Sequence, residues 1–540
     1  MGKWKAIVAI SLAQFVMVLD TTVMNVSLEQ VVRDLDSSIS QLQVAITFYT
    51  LTMAALMLTG GRLGGIWGRL NTYRIGVVVY GIGSLVTALA PNFAVLFLGW
   101  SIVEALGAVL IIPATVALTS SNYKGRDRAI AFGLLGGISA AGAAAGPLIG
   151  GFVTEYASWR YVFAAESLIM VGLLATSGAI KDAPKSAGER LDVPSVALSA
   201  TGLGLIVYGV LRASVWGWIT PEPGAPSLLG LSLVPWMVSL GLLVLGIFLR
   251  RQLALERDNR KPLLPSSLVK VAQLRGGLIM MVVQQLLLAG TFFVIPVYLQ
   301  IVLGKGSLET GLRILPLALG VMVASMVGAR LSERFSPRQI VRVGLGVLFV
   351  GIVTILGSVN AKLDSGLFIA GMAIFGVGIG AGISQLGNTI MSAAPQKHAS
   401  EAGGLQGTAS NLGMSLGTAL IGAVLLTGLN SALVDTIQSD PRISQKVKNE
   451  VSSATELVPV ITEKQAKQEL AKSGLSQSEQ TAALDDYETS LITALRQALF
   501  VAAFVALIAI WFVRLLPDKP LVTAKAKRAP PGSKKVTARS

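Results

Sequence analysis

The chain has 540 residues, 53% hydrophobic and only 14% charged, with a formal net charge of +15 and a mean hydropathy of +0.67. A soluble domain carries roughly 25% charged residues, so the composition is that of a membrane protein. The absence of cysteine excludes disulfides and thiolate chemistry, and the one histidine, His398, sits beside Lys397 in a polar connection and reads as solvated, neither catalyst nor metal ligand.

The first apolar run, residues 7–26, is full length and contains Asp20, so it reads as a retained helix and not a cleaved leader. Runs of roughly 18 or more apolar residues mark spanning helices. About fourteen occur, centred near residues 17, 54, 82, 107, 142, 169, 204, 238, 288, 320, 348, 376, 414 and 503. The excess positive charge lies between these runs, which points to topology signals on an anionic membrane surface and not to nucleic acid. With the amino terminus inside, one face collects Lys3 and Lys5, Arg69 and Arg74, and Lys124 to Arg128. It also collects Lys181, Lys185 and Arg190, Arg250 to Lys261, Arg330 to Arg342, and a tail from Lys519 to Arg539. That asymmetry places both termini in the cytoplasm and implies an even number of spans in the plasma (inner) membrane.

One connection on the other face, residues 430–490, is long and polar. Glu463 and Lys467 stand at i and i+4, Gly474 marks a turn, and Ser476 with Glu479 forms a capping-box pattern. The expectation is an external helical hairpin, with a disordered loop as the alternative.

Ionisable groups inside spans are expensive and are functional hypotheses by default. Asp20 in the first span is one, with Gln14, Thr21 and Asn25 on an adjacent stripe; the alternative is an aspartate bonded to nearby backbone or threonine. Glu104 in the fourth span is the second. Glu166 in the sixth is either a third candidate acid or the ion-pair partner of Arg160. In the fifth span Gly142, Gly146 and Gly150 repeat every four residues, with Pro147 and Gly151 between and after them, giving a small-residue face for close helix approach and a local bend. In the second half Gln284, Gln285, Gln300, Gln406 and Asn411 either bond helix to helix or bind polar groups of a substrate. Gly376, Gly378, Gly380 and Gly382 do not make a nucleotide loop, and no Walker sequence occurs, so ATP is not the expected energy source.

Two segments resemble each other: Gly61-Arg62-Leu63 to Gly68-Arg69 after the second span, and Arg330-Leu331 through Glu333-Arg334 after the tenth. Together with the run Gly142-x-x-x-Gly146-Pro147-x-x-Gly150-Gly151, they carry a resemblance to the major facilitator superfamily, and within it to the fourteen-helix drug:proton antiporters. The first loop resembles the superfamily's hallmark loop, with Gly65 where its aspartate stands, so Glu333 of the second copy becomes the candidate acid for gating. Leu19-Asp20-Thr21-Thr22 and Asn25-Val26 resemble the antiporters' first-helix signature, which implies a coupling or cation-recognition role for Asp20. Ser101 stands where the antiporters carry an arginine and Glu104 where they carry a glutamine, which moves the expected protonation site toward Glu104.

The resemblance implies an all-α fold of two six-helix bundles, residues 1–182 and 273–516, with two inserted helices and a linker at 183–272 and a basic tail at 517–540. It implies a monomeric, proton-driven exporter of amphipathic or cationic small molecules, with no cofactor and no metal. A lipid, glycolipid or metabolite exporter, an uncoupled facilitator, and a membrane scaffold or sensor using the hairpin remain as alternatives. An enzyme is not expected.

Overall fold

A computed structural model describes residues 4–520, except 124, 181, 183–190, 223, 259, 261, 333, 362, 364, 395–398, 454–457, 459, 462, 473 and 474. Glu333, Lys397, His398, Gly474, Lys3, Lys124, Lys181, Lys185, Arg190, Lys261 and the tail cations from Lys525 onward therefore lie outside the described residues, as does the side chain of Glu463.

The first half contains α1 (Lys5–Val26), α2 (Leu28–Asp34), α3 (Ile39–Trp67) and α4 (Arg69–Ala88). Its fourth long helix is composite: α5 (Phe93–Leu96), a π-helical stretch (Phe97–Glu104) and α6 (Ala105–Asn122). It closes with α7 (Gly125–Tyr156) and α8 (Arg160–Thr176). Next come α9 (Val193–Trp216), a two-stranded ribbon of β1 (Ser227–Leu228) and β2 (Leu231–Ser232), α10 (Leu233–Arg257) and the short α11 (Ser266–Val269). The second half contains α12 (Ala272–Pro296), running on as a π turn (Val297–Val302), then α13 (Ser307–Leu331), α14 (Pro337–Ser358), α15 (Ser365–Ala393) and α16 (Ala399–Ser439). Helices α17 (Gln445–Ser453), α18 (Glu463–Lys472) and α19 (Gln477–Phe512) complete it.

Local chemistry sets the boundaries. Ser38 with Gln41, Ser336 with Gln339, and Ser476 with Glu479 form reciprocal capping boxes that start α3, α14 and α19. Gly68 ends α3 and begins α4 at φ 93°, a conformation a side chain would strain, so the hallmark loop turns sharply where the sequence carries glycine.

Each of the fourteen expected centres falls in a helix of its own. Among the described residues, eleven helices are long and apolar enough to cross a membrane; the centres near 82, 142 and 169 fall in α4, α7 and α8, which are not among them. Helix α8 has 17 residues. Among the described residues, length and composition thus support eleven of the fourteen expected crossings.

The two halves repeat one packing scheme. In the first, α1 packs on α7, α3 on α6, and α4 on both α6 and α8; in the second, α12 packs on α16, α13 on α15, and α14 on both α15 and α19. The halves meet along two equivalent seams, α7 against α13 and α3 against α16. The inserted pair packs on itself through Gly202 and Gly241, and α9 lies against both α3 and α16, straddling one seam. A polar knot fixes its end: Asp192 caps α9, accepting from the Ser195 amide at 3.1 Å, and takes both an Arg251 Nε and an Nη2 hydrogen bond at 2.7 Å. Arg251 pulls the Asp192 carboxyl down to about 2.

The connection after α16 is helical over much of its described length. Leu433, Ile437, Ile443 and Ala482 form a buried cluster between α16 and α19. Asn430 accepts from the Val458 amide, and the Tyr487 hydroxyl accepts from Ile461 N.

Candidate functional site

The first helix is apolar, and three of its polar side chains are satisfied locally. The Thr21 hydroxyl donates to Val18 O at 2.9 Å, Thr22 to Leu19 O at 2.8 Å, and the Asn25 amide to Thr21 O at 2.8 Å. Asp20 is not. It is fully buried, and neither backbone nor threonine is its partner: both carboxylate oxygens accept from the Trp100 indole N–H, at 3.0 and 3.1 Å. Trp100 lies in the π stretch of the fourth helix and stacks on Tyr49 of α3 at a centroid distance of 4.7 Å.

The same π stretch ends on Glu104, and α8 brings Glu166 alongside. Asp20, Glu104 and Glu166 are all buried, and one carboxylate oxygen from each lies within 4.8 Å of the others. The Tyr49 hydroxyl faces Asp20, the Tyr80 and Ser84 hydroxyls face Glu104, and Ser84 also faces Glu166. Among the described residues, no hydrogen-bond donor is paired with either glutamate. The oxygen spacing would also suit a metal ion, although protons are the expectation from the sequence. Unionised carboxyl groups can donate to one another, whereas three charges this close in an apolar enclosure would repel strongly.

The alternative role for Glu166 is not realised. Arg160 donates to Ala90 O at 2.7 Å and covers the Trp159 ring, leaving Glu166 with the other two acids. The sequence offers the three acids as separate candidates, and the fold assembles them. Trp100, Tyr49, Tyr80 and Ser84 carry no motif of their own; the one signal is a tryptophan one helical turn before Glu104. Ser101, at the position of the antiporters' arginine, donates to Ala45 O at 2.8 Å and pins the π stretch to α3.

The glycine face of α7 lies against α1 on either side of Asp20. A side chain on Gly142 would meet Phe15 and Val18, one on Gly146 would strike Thr22, and one on Gly150 would strike Val23. Gly151 instead meets Ser307 and Leu308 of α13, and Gly311 of α13 meets Pro147 O. One helix therefore packs closely on both the acid-bearing helix and the opposite half.

The second-half amides divide. Gln284 donates to Ile379 O at 2.8 Å and Gln285 to Ser410 Oγ at 2.9 Å, each leaving its carbonyl oxygen unpartnered. Asn411 bonds Gly407 O within its own helix, and Gln406 is half-buried facing Gly387. Gln14 is half-buried on α1. Gln300, on the second π turn, bridges the halves: its amide donates to Val26 O at 2.7 Å and its carbonyl accepts from Glu29 N at 2.9 Å. Gln43 donates to Thr418 O across the other seam at 3.1 Å. Of the loop residues, Gly61 approaches Pro113, Arg62 and Arg69 are half-buried, and Arg330 and Arg334 are exposed.

The family model described as Major Facilitator Superfamily matches residues 10–418. The chain belongs to that superfamily. It is 32% identical over 437 residues to a puromycin resistance protein of Streptomyces alboniger, covering 80% of this chain and 83% of that protein. It is 27% identical to a tetracenomycin C resistance and export protein of Streptomyces glaucescens, covering 84% and 82%. Against the multidrug efflux pump LfrA of Mycolicibacterium smegmatis the identity is 27%, over 78% and 80%. Among solved structures, a bacterial homologue of the lysosomal transporter Spinster, inward-facing and occupied, superposes with a TM-score of 0.60 at 14% identity, covering 94% and 95%. A D-xylose–proton symporter gives 0.55 at 11%, covering 95% and 98%. These two show the fold alone. This superfamily member is a multi-pass membrane transporter and not an enzyme, and its relatives are drug and antibiotic resistance exporters.

Proposed function

We propose that this major facilitator protein is a proton-coupled exporter of amphipathic or cationic small molecules, and that Asp20, Glu104 and Glu166 form its coupling site. The observation that supports this most directly is the meeting of three buried acids, drawn from α1, the fourth helix and α8, at one point in the first half. Trp100 holds Asp20 as the acceptor, and the two glutamates beside it are the groups free to take and release protons. A cationic substrate competes with protons for the same negative charge, so loading one expels the other, and no nucleotide is needed. The halves rock about the α7–α13 and α3–α16 seams, with Gln300 and Gln43 latching one end and Gly151 and Gly311 allowing close contact there.

In this reading all fourteen long helices cross the inner membrane and both termini are cytoplasmic. Two six-helix bundles (1–182 and 273–516) flank the inserted pair, and the protein works as a monomer. Arg62, Arg69, Arg330, Glu333 and Arg334 serve the gating loops.

The test is substrate-driven proton movement in proteoliposomes under an imposed pH gradient, comparing the intact chain with Asp20→Asn, Glu104→Gln and Glu166→Gln. Proton flux that depends on lipophilic cations and is lost in the variants is expected. A folded protein that moves no protons with any lipophilic cation overturns the proposal and favours lipid or metabolite cargo.

A further inference from the structure

The repeat breaks between its second and third helices. In the first half α3 and α4 pack on each other, but their counterparts α13 and α14 both pack on α15 and scarcely touch. The gap is an open groove of about 500 Å³, floored by Val377 and Ala381 and walled by Val327, Leu331, Phe335 and Val343. The wall residues face outward: Val343 is 66% exposed and Val327 46%. In a membrane-spanning bundle such a face meets acyl chains, not water.

The mouth of the groove is basic. Arg330 ends α13, Arg334 follows it, and Arg342 stands beside Val343; all three are exposed, and none makes an ion pair among the described residues. Arg338, the fourth arginine of this turn, is engaged elsewhere, donating to Leu516 O and Arg514 O at 2.9 Å. Arg330, Arg334 and Arg342 each adjoin a residue that lines the slot (Leu331, Phe335 and Val343), and exposed cations on the rim of an apolar groove match a ligand with a negatively charged headgroup at one end and a hydrocarbon chain at the other.

We infer that the α13–α14 groove is a binding site for an anionic phospholipid, its acyl chain in the slot and its phosphate on Arg330, Arg334 and Arg342. The leaflet is the one bordering the α13 carboxyl end, cytoplasmic in the orientation proposed above. Because the site joins the second gating loop to α14, an occupied groove ties that loop to the bilayer.

Purified full-length protein should be examined by native mass spectrometry with phosphatidylglycerol and phosphatidylcholine of identical chains. Each arginine near an anionic headgroup is worth about a factor of five, so the three together give roughly a hundredfold preference for phosphatidylglycerol. The triple variant Arg330→Gln/Arg334→Gln/Arg342→Gln should bring that preference to near one. Val327→Trp with Val343→Trp, both at outward-facing positions, fills the slot and should reduce retention of both lipids. Equal retention of the two lipids by the wild-type chain, or a preference that survives the triple variant, overturns the headgroup assignment. Retention unchanged by the tryptophans overturns the groove. None of these outcomes depends on whether the transported cargo is a drug.

Discussion

Gln300 offers the sharpest test of how the halves are held. Its side chain is 2% exposed and makes two hydrogen bonds to the opposite half, to Val26 O and from Glu29 N. Gln300→Leu keeps the size and removes both. Each bond contributes about 1 kcal/mol net, and water can satisfy the freed backbone groups only once the halves separate, so the latched state should lose about 2 kcal/mol relative to the opened one. That is roughly a thirtyfold shift in population. The chain has no cysteine, so a single Ser307→Cys reporter is free of background. Ser307 is 6% exposed, and its backbone lies against Gly151 across the α7–α13 seam. Its labelling by a charged, membrane-impermeant maleimide should accelerate about thirtyfold with Gln300→Leu. Labelling rates within a factor of two of each other, in variants of equal thermal stability, would show that these bonds do not hold the seam closed.

Trp100→Phe keeps the stack on Tyr49 but removes the donor to Asp20. A hydrogen bond to a charged group is worth about 1.5–3 kcal/mol, so substrate-driven proton flux should fall at least tenfold while the protein still elutes as a folded species. Gly146→Val forces a branched side chain onto Thr22 and should cost about 1–3 kcal/mol, read as a lower melting temperature, whereas Gly64→Ala, with open space around it, should melt like the parent. The Asp192 carboxyl is held at about 2, below its ordinary 3.8, so the stability it lends is present above about pH 4 and lost as pH falls toward 2. Trypsin cleavage near α9, taken relative to an unfolded control peptide at each pH, should therefore not change between pH 8 and pH 6, and Asp192→Asn should raise it at both.

Hydropathy locates the helices, because each apolar run is long enough to demand a helix, and a few polar breaks add a recognisable cap, such as Ser476 with Glu479. The glycine face was legible for the same reason: spacing by four fixes one side of a helix whatever it packs on. The candidate site was legible only as separate parts. Asp20, Glu104 and Glu166 stand out as acids in apolar runs, but their meeting depends on how α1, the fourth helix and α8 pack. The same is true of Glu166 and Arg160, close in sequence yet turned to different partners. The π stretch at Phe97–Glu104 has no sequence signature, and it presents Trp100 to Asp20 from its middle and Glu104 from its end. Gln300 reads as one more intramembrane amide until the opposite half is placed beside it.

The inserted pair covers only one of two equivalent flanks. Helix α9 lies along the α3–α16 seam, while among the described residues neither α9 nor α10 packs against α7 and α13. The pseudo-symmetry of the core is thereby cancelled at its perimeter. A molecule dissolved in the lipid meets a shuttered side and an unshuttered one, so any lateral route into the interior is directional, past α7 and α13. A bulky graft on the α7–α13 flank would obstruct that entry, and the same graft beyond α10 would not.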